Sequence, residues 1–168
     1  WLTCRRMDSG ETLWRRGQDD LPWLGKVRRF AQYEAWLACE ISTITETKTG
    51  NSVQVLSADD GRHLWGREFI PHSSHFRQAR AMFAGGLLWV LDEAVKGCVG
   101  LDPPTGQVKQ TWAIDRSHCF PPVATTRYMI AGEMDWVSLA DGSKEVSHIT
   151  KPACSRDAGV VIANGLVY

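Results

Sequence analysis

The sequence predicts an all-β chain: a partial β-propeller of four-stranded antiparallel blades, about three of them whole, with incomplete blades at both ends. Three observations carry that expectation. A glycine-punctuated strand pattern returns four times, at residues 4–14 (CRRMDSGETLW), 55–65 (VLSADDGRHLW), 100–112 (GLDPPTGQVKQTW) and 136–146 (WVSLADGSKEV). Its glycines, Gly10, Gly61, Gly106 and Gly142, recur roughly 35 to 50 residues apart, the period of one four-stranded blade. Between them lie short apolar runs bounded by turn residues, with no heptad and no long helical stretch.

Residues 2–6 and 11–16 read as two strands around Met7-Asp8-Ser9-Gly10, because Asp and Ser bond nearby backbone and Gly takes a positive φ without steric cost. Residues 17–29 (GQDDLPWLGKVRR) are turn-rich and mixed in charge, a connection between blades. Residues 30–41 fit either a short amphipathic helix or strands; the repeat order asks for strand, with 35–41 the better part. Residues 43–51 read as a polar hairpin connection, followed by strands at 52–57 and 62–69. Residues 70–78 cross to the next blade, whose strands fall at 79–84, 87–92, 98–102 and 107–114, with Gly85-Gly86 as a tight hairpin turn. Residues 115–122 cross again, to strands at 123–126, 127–132, 135–139 and 144–150. Residues 160–163 and 166–168, around Asn164-Gly165, open a further blade. The pieces of this single propeller are therefore residues 1–16, 30–69, 79–114, 123–150 and 158–168.

Nineteen Lys and Arg balance nineteen Asp and Glu, so no net field draws the chain to nucleic acid or to an anionic membrane. No apolar run approaches the roughly 20 residues that span a bilayer, and membrane insertion is not expected. Trp1 and Tyr168 both fall inside expected strands. The chain thus reads as an internal piece of a longer protein, with the remaining blades of the same polypeptide as its first partners and any signal peptide upstream. The five cysteines are dispersed, without C-x-x-C spacing, which argues for small buried residues and against a structural zinc site.

A blade cannot bury both faces alone and must stack on its neighbours. Trp14, Trp65 and Trp112 each follow a repeat glycine and form a positional set among the eight tryptophans. A flat Trp at the end of an outer strand covers the neighbouring blade's turn, adding buried area and a polar N–H, and glycine in that turn lets the ring come close. Gly10, Trp14, Gly61, Trp65, Gly106, Trp112 and Gly142 are accordingly assigned to blade docking rather than to chemistry.

The two better repeats, Val55-Leu56-Ser57-Ala58-Asp59-Asp60-Gly61-Arg62-His63-Leu64-Trp65 and Val99-Gly100-Leu101-Asp102-Pro103-Pro104-Thr105-Gly106, resemble the pyrroloquinoline-quinone (PQQ) type of propeller repeat. There an Ala-Leu-Asp-like strand end is followed by Thr-Gly and then Trp. The first repeat departs from it at Arg5 and Arg6, the third displaces Trp112 by two positions, and the fourth carries Val146 in place of Trp. The C-terminal part, His118–Tyr128 (HCFPPVATTRY) with Asn164-Gly165-Leu166-Val167-Tyr168, is similar to PQQ-like repeat proteins of planctomycete-type bacteria. The resemblance covers nearly the whole chain and specifies fold more than function.

Candidate chemistry is sparse. His72-x-x-His75 lies in a polar crossover and either faces solvent or supplies two ligands to a metal lacking a third. Cys119 and Cys154 each precede the first strand of consecutive blades, and are a candidate disulfide closing a loop of about 35 residues, or two buried thiols. A His118-Cys119 nucleophile lacks an orienting partner. Asp19-Asp20, Asp59-Asp60 and Asp92-Glu93 read as solvated turn carboxylates, and Arg5-Arg6, Arg15-Arg16 and Arg28-Arg29 as solvated cations. There is no G-x-S-x-G, P-loop or dinucleotide glycine fingerprint. The expected function is a non-catalytic binding or scaffolding segment of a larger exported bacterial protein, in the periplasm or cell envelope, with no catalytic, cofactor or metal site. A protein or polysaccharide would touch its inter-blade loops. The alternative is a fragment of a PQQ-dependent alcohol or sugar dehydrogenase, a class the resemblance ties to calcium, a catalytic Asp and a vicinal cysteine pair; no Cys-Cys occurs here.

Overall fold

The computed structural model of the chain describes residues 1–44, 49–70, 80–114, 122–131, 135–145, 161–164 and 166–167. Apart from two 3-10 turns, Leu24–Lys26 and Glu93–Val95, its regular elements are strands: β1 (Leu2–Arg5), β2 (Thr12–Arg16), β3 (Val27–Tyr33), β4 (Trp36–Ile44), β5 (Thr49–Ser57), β6 (His63–Phe69), β7 (Met82–Ala84), β8 (Leu87–Asp92), β9 (Gly97–Leu101), β10 (Val108–Ala113), β11 (Val123–Ala124), β12 (Tyr128–Ala131), β13 (Asp135–Ser138), β14 (Lys144–Glu145), β15 (Ile162–Ala163) and β16 (Leu166–Val167). They form three four-stranded antiparallel meanders, β3–β6, β7–β10 and β11–β14, and two two-stranded sheets, β1–β2 and β15–β16.

The apolar pattern explains why these sheets stack. β8 (LLWVLD) and β9 (GCVGL) are almost continuously apolar because both of their faces are buried. Side chains alternate across a strand, so neighbours enter different cores. Leu88, Val90, Val99 and Leu101 meet Ala38, Val53, Val55 and Phe69 of the preceding sheet. Trp89, Leu91 and Cys98 meet Met129, Ala131 and Val137 of the following one. The core is thus a series of layers between sheets. Leu21, Cys39 and Leu56 fill the layer beside β1–β2, and Ile130 packs with Val123, Trp136 and Ile162 at the other end. The first strand β3 lies beside β7, and β7 beside β11, so successive sheets line up through their first strands.

Several local expectations are adjusted. Residues 30–41 belong to the β3–β4 hairpin, which turns at Glu34 with φ 49. Burial of both faces of β4, Ala38 on one side and Cys39 on the other, selects strand over helix. In the polar stretch 43–51 the described residues, 43–44 and 49–51, are strand: β4 and β5 continue until Ile44 pairs with Thr49, because backbone pairing needs no apolar side chain. Residues 17–29 hold the first 3-10 turn, and Val27 already opens β3. β7 is shorter than its expected strand.

Candidate functional site

In a four-stranded meander the first and third turns fall at the same end. At that end each third turn is built alike: the N–H of Gly10, Gly61, Gly106 and Gly142 donates to the carbonyl of Arg6, Ser57, Asp102 and Ser138, at 2.8–2.9 Å. Carboxylates brace these turns. Asp60 accepts from the Arg62 N–H at 3.0 Å, and Asp141 accepts from the Ser143 hydroxyl at 2.7 Å and N–H at 3.0 Å. The Ser143 hydroxyl, then its N–H, hold the Asp141 carboxyl down to about 2.

Against three of the four turns lies an indole from the preceding sheet. Trp14, 9% exposed, donates Nε1 to the Ala58 carbonyl at 2.8 Å. Its ring covers Gly61, where a Cβ would stand 2.6 Å from Cε3; only glycine fits, and its φ of 70 also excludes most side chains. Arg16 adds bonds from its guanidinium to the Asp60 and Gly61 carbonyls. Trp65 repeats the pattern, with Nε1 2.7 Å from the Pro103 carbonyl and its ring over Gly106. In both cases the accepting carbonyl belongs to the third residue before the glycine. Trp112 covers Gly142, but its Nε1 has no hydrogen-bond partner among the described residues.

Strand register accounts for the difference. Three of the outer strands, β2, β6 and β10, shift register just after the turn, at Cys4/Arg5, Val55/Leu56 and Val108/Gln110. Such a bulge adds twist and re-aims the next side chain. Trp14 and Trp65 are the first paired residues beyond it, opposite Cys4 and Val55. Gln110 holds that place in β10, and Trp112 stands farther along, opposite Cys98. The structure therefore brings together Trp14 with Gly61, Trp65 with Gly106 and Trp112 with Gly142. Gly10 meets nothing within 4 Å of its Cβ position.

Beside these turns, a groove of about 500 Å3 opens between β7–β10 and β11–β14. Ala84, Gly85, Leu87, Gln110, Arg127 and Tyr128 are among its lining residues. It is a cleft between first turns of successive sheets.

Buried charge lies elsewhere and ties sheet to sheet. Glu40, 4% exposed on β4, accepts the Ala81 N–H at 2.6 Å and also the Arg80 N–H. Arg80 has a φ of 50, and this left-handed residue turns two successive N–H groups onto one carboxylate. Burial raises the Glu40 pKa, opposed first by the Ala81 N–H and then by the Arg80 and Arg29 guanidinium groups. Asp92 is not a solvated turn carboxylate: it is 6% exposed and accepts from the N–H of Ile70 at 3.2 Å and of Ala94 at 3.0 Å. It both caps a 3-10 turn and holds the end of the preceding sheet. Asp135, by contrast, pairs within its own sheet, from β13 to Lys144 of β14 at 2.6 Å. Glu40 was marked in sequence by being a lone charge inside the apolar run WLACEIS.

Cys4 and Cys39 are free thiols, and Cys98 is buried. Burial pushes the Cys39 thiol up to about 12, so it should resist alkylation in the native chain while half-buried Cys4 reacts. Peptide mapping after an iodoacetamide pulse checks this; equal labelling would mean that the Cys39 layer opens readily. Cys119, Cys154, His72, His75, His118 and Val146 lie outside the described residues. Among the described residues no three His, Cys, Asp or Glu side chains converge as a metal site, and no helix is long and apolar enough to cross a membrane.

No family model and no curated protein matches the chain. Among solved structures it is similar to BamB from Moraxella catarrhalis, with a TM-score of 0.59 and 13% identity. The match covers 95% of this chain and 46% of that one, so the chain spans about half the length of that structure. The likeness is one of fold, and the chain is a partial β-propeller of four-stranded antiparallel blades.

Proposed function

We propose that the chain is a non-catalytic, PQQ-like propeller segment that serves a larger exported bacterial protein as a binding scaffold. The observation that carries this reading is the groove of about 500 Å3 at the turn end, walled by two successive blades. A protein segment is the favoured occupant, because Tyr128 and Leu87 offer apolar contact while Gln110 and Arg127 offer hydrogen bonds to a peptide backbone. Supporting it, Glu40, Asp92 and Asp135 are each engaged in bonds that brace the sheets. The indoles of Trp14, Trp65 and Trp112 act as blade-docking elements that keep the frame rigid, with Gly61, Gly106 and Gly142 as their seats.

Photo-crosslinking from Arg127 and Gln110 in the native, full-length protein tests the reading. A discrete protein adduct is expected from these positions, and none from exposed Lys109 on the same strand as Gln110. Saturable micromolar binding of PQQ with calcium, accompanied by dye-linked alcohol oxidation, would overturn it in favour of a dehydrogenase fragment.

A further inference from the structure

We propose that the groove between β7–β10 and β11–β14 selects a partner-protein segment that sets an apolar side chain beside a single carboxylate, with the carboxylate pairing to Arg127. This rests on the scaffold reading above and names the chemistry of its occupant. One position of the repeat distinguishes this seam. At the first paired place beyond the bulge, β2 and β6 carry the indoles of Trp14 and Trp65, whereas β10 carries Gln110. Gln110 fills less space than an indole and lines the groove; Trp112, two positions on, covers Gly142 and is not among the lining residues. The apolar part of the lining is Ala84, Leu87, Leu139, Ala140 and Trp89. Trp89 is 1% exposed and fixed by its Nε1 bond to the Ala84 carbonyl at 3.0 Å. Apolar surface of this kind gains about 25 cal/mol for each Å2 that an apolar side chain covers.

Charge complementarity selects the rest of the occupant. Among the described lining residues Arg127 is the one that carries a charge, and it is exposed. Its turn is held on both sides: Thr125 Oγ1 accepts from the Arg127 and Tyr128 N–H at 3.2 and 2.9 Å, and the Arg127 carbonyl accepts from the Leu139 N–H at 2.8 Å. Among the described residues its guanidinium forms no ion pair with a carboxylate. A planar guanidinium at an apolar rim suits a carboxylate, which it can grip with two parallel bonds. Asp141, next to Ala140 of the lining, limits the count to one. The Ser143 hydroxyl and N–H, then the Ser138 hydroxyl, hold its carboxyl down to about 2, so it stays ionised and repels a run of acids.

Two acetylated and amidated tetrapeptides, Gly-Trp-Glu-Gly and Gly-Trp-Gln-Gly with 5-fluorotryptophan, serve as probes against the native, full-length protein, read by fluorine NMR. The Glu peptide is expected to bind about fivefold more tightly, the upper end for an ion pair that keeps contact with water, and to lose that advantage as salt is raised. Arg127→Gln should make the two peptides equal. Gln110→Trp, which puts an indole into the groove, should weaken both about tenfold or more. Equal binding to the parent protein, or a Glu preference that survives Arg127→Gln, overturns the proposal. Tighter binding of Gly-Glu-Glu-Gly also overturns it, as does indole-3-acetate binding as well as the Glu peptide, in favour of a small carboxylate. Silence of both peptides overturns it too, while a protein adduct crosslinked from Gln110 would keep the scaffold reading. PQQ turnover would strike the scaffold reading and leave an Arg127-dependent preference standing.

Discussion

Replacing Trp65 by alanine should destabilise the chain by about 3–5 kcal/mol, the cost of removing a large aromatic from a packed site. Trp65 packs against the layer of Ala38, Val53, Val55, Leu88 and Val90, and lies over Gly106 of the next sheet. Its loss opens the seam between two complete blades rather than a cavity inside one. Because the ring is half-buried, the lower part of that range is the better expectation. Trp65→Phe keeps most of the cover and loses the bond to the Pro103 carbonyl, for about 1 kcal/mol. Trp112→Phe should cost less still, since that Nε1 has no partner among the described residues. Urea unfolding of the three variants reads these differences directly. A Trp65→Ala cost below about 0.5 kcal/mol, the range of a surface site, would remove blade docking from the account.

Fold was legible in the sequence where a backbone demand restricts residue choice. A turn that needs a positive φ and a ring pressed against it leaves glycine, so Gly61 and Gly106 mark their turns without any knowledge of contacts. The apolar runs of β8 and β9 mark strands buried on both faces for the same reason. What the sequence hid depends on partners distant along the chain. Asp92 reads as a turn carboxylate, and its burial becomes visible once Ile70 is brought to it from the preceding sheet. The groove draws residues from two blades, and no local pattern in either announces it. Trp112 shows the limit of spacing arguments. Counting from Gly106 places it off the pattern, yet its ring still reaches Gly142 from two positions farther along the ladder.

Glu40→Ala is expected to be as damaging as the loss of Trp65, about 3–5 kcal/mol, because it removes one side of a buried charged cluster. The substitution strips the acceptor from the Ala81 N–H and takes away the carboxylate facing buried Arg80. Glu40→Gln should cost less, since its amide oxygen still accepts from Ala81. The pH dependence separates the charge from the shape. Burial raises the folded pKa of Glu40 above its ordinary value of 4.5, against the pull of the Ala81 N–H and the Arg80 and Arg29 charges. The folded chain then holds this proton more tightly than the unfolded chain. The resulting contribution to stability is complete below 4.5 and is lost as pH rises through the folded value. Asp141 and Asp60 act in the opposite sense, their carboxyls being held low by turn hydrogen bonds. Their contributions are lost as pH falls through their folded values, about 2 for Asp141, so they fade below the window in which Glu40 acts. A urea-midpoint series taken upward from pH 4 should therefore decline less steeply in Glu40→Gln than in the parent chain. Parallel series would mean that the guanidinium groups cancel the burial and that Glu40 is ionised on both sides of folding.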